Sequence, residues 1–428
     1  MSGFRVRERE MGVLGMKLPG LAKRAGAVGA LPALGLLTLA GMTPTAWDVS
    51  YHEAAQVDDA IVQAIVSERP TLVGISALTA SIIEAYALAA RLRGEGVRVV
   101  LGGLHVTVCP DEAARHADAI VVGDGEAAWP QVLRDAESGR LKPMYRVERP
   151  FDLAAAPLPR FELLGTKVRP RYTVQTARGC PLACEFCGAS RLLGPFREKP
   201  AALVAEELRT IAHLDPRAMV ELADDNSFAG RREPAALFEA FAGSGVRYFT
   251  EADWRIGERP EVLDGLAASG CVQVLVGVES VTHEFAGLGA KRAPLARVVD
   301  ALERVQDSGV AVIACFVVGA DSDDVESINQ LAEWLLDAPF ADVQLTMQTP
   351  FPGTALHRKL AAAGRLLPER GWESYTLFDA TYRPARMEVL EFERAFRNAV
   401  RMVFSEEPSR RRDEIRRKVW GNRYKVAS

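Results

Sequence analysis

The residues best suited to chemistry in this chain are three cysteines in one short run, Arg178-Gly179-Cys180-Pro181-Leu182-Ala183-Cys184-Glu185-Phe186-Cys187-Gly188. Their spacing is C-x3-C-x2-C. Thiolates this close can hold three corners of a [4Fe–4S] cube. The fourth iron then has no protein ligand and stays open to a small molecule. A structural zinc site asks for four ligands, usually from paired short motifs. No second C-x2-C exists, and Cys109, Cys271 and Cys315 stand singly. A cluster is the better reading than zinc or three incidental thiols. Six cysteines in 428 residues make no disulfide framework. An oxygen-sensitive cluster also argues for a reducing cytoplasm.

The cysteine run follows a strand expected over Tyr172–Gln175. Further strands are expected at Val220–Leu222, Tyr248–Thr250, Val272–Val278, Val310–Val318 and Val343–Met347, with helical stretches between them. Such β-α alternation implies a parallel sheet, and chemistry gathers at the carboxyl ends of its strands. Those ends carry Asp224-Asp225-Asn226, then Glu251, Asp253, Trp254 and Arg255, then Gly277-Val278-Glu279-Ser280, then Gly319, then Gln348–Thr354. Asp224 and Asp225 can receive an ammonium group, and Asp-Asp-Asn is also an ordinary helix cap. Glu279 and Ser280 can bond adjacent hydroxyls. Phe186 either shields a cluster or packs.

The N-terminal third shows a second alternation. Strands are expected at Met11–Leu14, Trp47–Tyr51, Thr71–Ile75, Val97–Leu101 and Ala119–Val122. Helices are expected at Leu34–Met42, Val57–Ser67, Ser81–Arg93 and Glu126–Ala136. An open parallel sheet follows, with ligands binding beyond its strand ends. Ser76 and Thr79, Gly102, Gly103 and His105, and Gly123, Gly125 and Glu126 stand at those ends. Glycines let a backbone approach a flat ligand closely, although the same residues also make ordinary β-α turns.

The cysteine run closely resembles the signature of the radical S-adenosylmethionine (radical SAM) enzymes. The phrases Leu31–Pro44, Leu101-Gly-Gly-Leu-His105 and Val122-Gly-Asp-Gly-Glu126 resemble the cobalamin-binding domain that precedes many radical SAM domains. The resemblance implies a Rossmann-like α/β domain followed by a partial (β/α)6 barrel and a small helical cap. It implies a [4Fe–4S] cluster, SAM and cobalamin as cofactors. It gives Asp224, Asp225, Glu279, Ser280 and Gly319 to SAM, Glu279 and Ser280 at its ribose. It gives Ser76, Thr79, Gly102, Gly103, His105, Gly123, Gly125 and Glu126 to cobalamin. One departure stands out: the D-x-H-x-x-G motif that supplies a histidine below cobalt is absent, because His52 follows Asp48 by four residues. The implied activity is methylation of an unactivated carbon, through a 5′-deoxyadenosyl radical and methylcobalamin. The alternatives are a cyclisation or oxidative rearrangement of the tetrapyrrole-modifying type, and a cobalamin sensor or carrier without radical turnover. The implied partners are a small-molecule substrate and an external one-electron donor of flavodoxin or ferredoxin type.

Composition sets bounds on all this. The length suits two or three domains. The divisions expected are 1–140, a proline-rich surface linker at 141–170, a barrel at 171–360, and a cap with a basic tail at 361–428. A net charge of −4 creates no global field for nucleic acid. The apolar run Val28–Met42, preceded by Lys23 and Arg24, imitates an export signal. Pro32, Gly35 and Gly41 interrupt it, so it is expected as a buried helix and not as a membrane span. Trp372, Tyr375, Phe378 and Tyr382 are expected to pack in the cap. The tail carries Arg410, Arg411, Arg412, Arg416, Arg417, Lys418, Arg423 and Lys425 with Trp420 and Tyr424, a pattern of a solvated helix or of a nucleic-acid contact.

Overall fold

The structure is a computed structural model that describes residues 9–19, 21, 31–53, 56–165, 171–188, 192–230, 233–281, 285, 288 and 291–426. Two parallel sheets organise it. The first has four strands in the order β1-β2-β3-β4: Val73–Ser76, Val99–Gly102, Ala119–Val122 and Met144–Arg146. Its strands are short and apolar, because helices cover both faces. Val62, Ile65, Tyr86 and Leu88 pack against one face. Ala128, Trp129 and Val132 pack against the other.

The second sheet has six strands in the order β12-β11-β10-β9-β8-β5, all parallel. They are Tyr172–Val174 (β5), Met219–Leu222 (β8), Arg247–Asp253 (β9), Cys271–Glu279 (β10), Ala311–Val318 (β11) and Asp342–Met347 (β12). A two-residue ladder, Ala177–Arg178 (β6) with Arg197–Glu198 (β7), stands apart from both sheets. Covering helices bury one stripe each; Leu295–Asp307 buries Val298, Ala301, Leu302 and Val305, a three-to-four-residue spacing. Fully buried Phe316, Phe340, Phe392 and Phe396 belong to one core cluster joining the sheet to the helix Val389–Val403. Each such side chain contributes about 1.5–3 kcal/mol when buried.

Three expectations fail. Met11–Leu14 lies in the helix Arg9–Lys17, since a short apolar run cannot by itself separate strand from helix. Trp47–Tyr51 alternates like a strand but pairs with none. The stretch expected as a plain surface linker supplies β4, which pairs with β3, and it buries Phe161 and Leu164 in the barrel core. The helix Leu34–Met42 forms as expected and buries Leu37, Thr38 and Ala40. Lys23, Arg24 and residues 28–30 lie outside the described residues. No helix among the described residues is long and apolar enough to cross a membrane.

Candidate active site between the two sheets

The cysteine loop hangs from the carboxyl end of β5. The β6–β7 ladder closes its neck, with Ala177 opposite Glu198 and Arg178 opposite Arg197. Gly179, at φ +81, turns the chain into the loop. Cys184 is buried, and Cys180 and Cys187 are half-buried. Burial pushes the Cys180 and Cys184 thiols up. The Leu356 N–H, on the helix after β12, donates to the Glu185 carbonyl at 3.0 Å and ties the loop to the far side of the barrel. Phe186 stands edge-to-face on Phe285, with ring centroids 4.9 Å apart. Among the described residues no three His, Cys, Asp or Glu side chains converge as ligands of a single ion. A cube takes one thiolate per iron, so its ligands need not meet at one point.

The two aspartates after β8 differ. Asp224 is buried and accepts from the Thr176 N–H at 2.7 Å, the Ala177 N–H at 3.0 Å and the Ser227 hydroxyl at 2.8 Å. The Thr176 hydroxyl also donates to it. Its lone pairs hold the end of β5 and the start of the cysteine loop. Asp225 is half-buried. Burial, then the neighbouring Asp224 charge, pushes its carboxyl up to about 6, while the Gly179 N–H opposes the shift.

Glu279 ends β10 at a break in the ladder register and adopts φ +75, a rare backbone for a residue with a side chain. The Lys291 ammonium donates to its carboxylate. Ser280 follows, its N–H on the Val278 carbonyl at 3.0 Å. Gly319 adopts φ +104, and its carbonyl accepts from the Tyr382 hydroxyl. A Cβ there would meet Tyr382 Oη at 2.3 Å and Phe392 Cζ at 2.7 Å. The side of this glycine on which a Cβ would stand is therefore filled by the cap.

In the first domain a cavity of about 300 Å³ opens at the carboxyl ends of β1, β2 and β3. Ser76, Gly102, Gly103, Gly123, Gly125 and Glu126 line it. Leu36, Leu39 and Trp129 supply apolar wall. A neighbouring cavity of about 600 Å³ shares Leu36, Leu39, Gly74, Ser76 and Trp129 with it. Thr79 and His105 are not in the lining. His105 is wholly buried beneath the turn, with Nδ1 at 3.3 Å from the Thr79 hydroxyl and Nε2 at 3.5 Å from Glu112. Burial holds its imidazole below the usual value, against the pull of Glu112. Glu112 also accepts from the Trp372 indole at 2.9 Å, so this buried cluster joins the cap to the first domain.

Arg178, Leu192 and Leu193, which flank the three cysteines, also line the cavity. The Arg178 guanidinium donates to Glu126 at 2.6 Å and to Asp124 at 3.0 Å. Arg197 donates to the other Asp124 oxygen at 2.7 Å. These pairs hold the Asp124 carboxyl below its usual value despite its burial. Sequence reasoning found Glu126 but not its partners Arg178 and Arg197. The only available signal was charge complementarity between Asp124-Gly-Glu126 and Arg178, 52 or 54 residues apart.

A site with a three-cysteine loop on a parallel barrel, opening onto a strand-end cavity of a Rossmann-like domain, defines a class that pairs a cluster with a second large cofactor. Comparison with known proteins agrees. Residues 23–133 match the B12 binding domain family and residues 174–335 match the radical SAM superfamily. The chain belongs to the radical SAM enzymes that carry a B12-binding domain. It is 24% identical over 327 residues to the bacteriochlorophyllide d C-12(1)-methyltransferase of Chlorobaculum tepidum, covering 74% of this chain and 71% of that protein. It is 28% identical over 378 residues to the uncharacterized methyltransferase PH0819 of Pyrococcus horikoshii, covering 81% and 82%. An anaerobic magnesium-protoporphyrin IX monomethyl ester cyclase of Rubrivivax gelatinosus is 22% identical over 407 residues, covering 82% and 72%. Its fold is that of the cobalamin-dependent radical enzyme OxsB, solved with aqua-cobalamin and S-adenosylmethionine bound, at a TM-score of 0.68 and 14% identity. That match covers 85% of this chain, which spans 63% of the OxsB chain.

Proposed function

We propose that this chain is a cobalamin-dependent radical SAM methyltransferase that adds a methyl group to an unactivated carbon of a small molecule. One observation carries the reading: Arg178, Leu192 and Leu193, which flank the three cysteines, line the strand-end cavity of the first domain. A cluster on that loop would lie beside a cofactor in the cavity, as a reaction using both requires.

The residues fit these groups. Cys180, Cys184 and Cys187 would hold the cluster. Backbone at Gly102, Gly103, Gly123 and Gly125 suits a flat corrin, Ser76 suits its amide arms, and the adjoining cavity leaves room for the rest of the ligand. Asp225, Glu279 and Ser280 are the polar groups for SAM, with Asp224 and Gly319 shaping the wall behind them. Thr79 and His105 support the strand-end turns from below. When bound, the cluster with SAM supplies a 5′-deoxyadenosyl radical and cobalamin a transferable methyl group. The protein's part is to align these groups and exclude water, with Phe186 and Phe285 as the apolar screen. A flavodoxin- or ferredoxin-type donor in a reducing cytoplasm completes the reading.

Anaerobic turnover of the reconstituted protein tests it, with tetrapyrroles as first substrates because the bacteriochlorophyllide methyltransferase and the protoporphyrin ester cyclase among its relatives both act on that class. The reading expects 5′-deoxyadenosine and S-adenosylhomocysteine to form together with a product in which one hydrogen is replaced by methyl, a net gain of CH2. Substrate-dependent deoxyadenosine without S-adenosylhomocysteine overturns methyl transfer and favours cyclisation or rearrangement.

A further inference from the structure

Beside Cys180 lies a chain of polar groups that the cofactor assignment does not use. Asn226 is 3% exposed. Its side-chain Nδ2 donates to the Asp253 carboxylate at 3.0 Å and faces Cys180 Sγ at 3.8 Å. Its Oδ1 accepts from the Asp253 backbone N–H at 3.3 Å. The Asp253 carboxylate, in turn, takes a two-pronged contact from Arg255, Nε and Nη2 each at 2.7 Å.

The orientation of the Asn226 amide is fixed by chemistry. A backbone N–H can only donate and an ionised carboxylate can only accept. The edge meeting the Asp253 N–H must therefore be oxygen, and the edge meeting the carboxylate must be nitrogen. The second hydrogen of that nitrogen is left for the sulfur. Flipping the amide would oppose donor to donor and acceptor to acceptor. Asp253 is held ionised, because Arg255 and Asn226 outweigh its burial.

Resting on the cofactor reading above, we infer that Asn226, aimed by the Asp253–Arg255 pair, is a positioning residue that sets the reduction potential of the cluster. Hydrogen bonds to cluster sulfurs and nearby positive charge stabilise the more negative, reduced state. Asn226 supplies such a bond to Cys180. Arg255 neutralises the carboxylate that would otherwise stand unscreened beside the cluster. Removing either makes the cluster harder to reduce by one electron.

The test is an anaerobic titration of the full-length, cluster-loaded protein, following the reduced-cluster EPR signal against potential. Asn226→Leu and Arg255→Met are expected to move the midpoint to more negative values, with iron per chain unchanged. Arg255→Lys is expected to recover much of the Arg255→Met shift. Arg255 is the variant to read if Asn226→Leu fails to fold. Midpoints equal to wild type in loaded Asn226→Leu and Arg255→Met overturn this assignment alone. A wild-type chain that assembles no cluster overturns the cofactor reading and this inference with it.

Discussion

Arg178 shows how one side chain serves both halves of the site. It begins the cysteine run, lines the strand-end cavity and pairs with Glu126 in a contact where the two side chains are 15% and 8% exposed. Asp124 keeps Arg197 if Arg178 is lost, so Glu126 is the group left stranded. Breaking a buried pair from one side costs about 3–5 kcal/mol. Arg178→Met is expected to lose about that much stability in urea unfolding, and adding Glu126→Gln should restore part of it. Equal midpoints for wild type, single and double variants would contradict the clamp. Asp225 makes a pH prediction at the same scale. Its folded pKa is raised from 3.8 to about 6. Across that window the folded state binds more protons than the unfolded state, so this group's contribution to stability falls as pH rises. In the cluster-free chain Asp225→Asn should therefore be more stable than wild type at pH 7, by up to about 3 kcal/mol. The gap should close below about pH 4. An advantage that is the same at pH 4 and pH 7 would sink the explanation.

Among the elements, the C-terminal helix Glu406–Val426 has a role that its composition did not reveal. Two of its cations, Arg412 and Arg416, face the protein, while Arg410, Arg411, Arg417 and Lys418 are exposed. Arg412 is 4% exposed and stacks 5.5 Å over Phe404. Arg416 stands 3.6 Å from Asp342, and Arg411 pairs with Asp337. Val419 packs with Ala311 and Ala341, and the Trp420 indole donates to the Val272 carbonyl at 3.0 Å. These contacts gather at the amino-terminal ends of β10, β11 and β12, opposite the site. The side chains of Arg423, Tyr424 and Lys425 lie outside the described residues. Deleting residues 408–428 should thus cost at least about 2 kcal/mol, a fall in Tm of roughly 4–8 °C, and leave RNA binding unchanged. A truncated chain with wild-type Tm and weakened RNA binding would reverse the assignment.

What the sequence made legible at this scale follows burial. Strands covered on both faces, such as Ala119–Val122 and Val310–Val318, are near-continuous apolar runs and were readable to within a residue. The three-residue β4 carries too little pattern to be read inside a proline-rich stretch. Trp47–Tyr51 has the period of a strand, but pairing is decided by neighbours that sequence alone does not show. The cysteine loop was legible because its spacing is local. Asn226, Asp253, Arg178 and Lys291 were not assigned roles, because each acquires its meaning from a partner brought close only by folding. His105 and Gly319 show the same limit: a histidine or glycine at a strand end looks open in sequence, and here the imidazole and the Cβ side of the glycine pack against the cap.

The whole molecule has two parallel sheets, and Arg178, Leu192 and Leu193 around the cysteine loop of the second reach the cavity at the carboxyl ends of β1, β2 and β3 in the first. The Arg178 and Arg197 ion pairs hold the cysteine loop against the first domain, and the contact of Trp372 with Glu112 holds the cap there. This arrangement predicts that both large cofactors load in one chain. The most direct test is cobalt and iron per chain, measured after anaerobic purification with hydroxocobalamin supplied. The account predicts about one cobalt and about four irons. About four irons with no cobalt would contradict it, leaving the barrel's radical chemistry and removing cobalamin from the cavity.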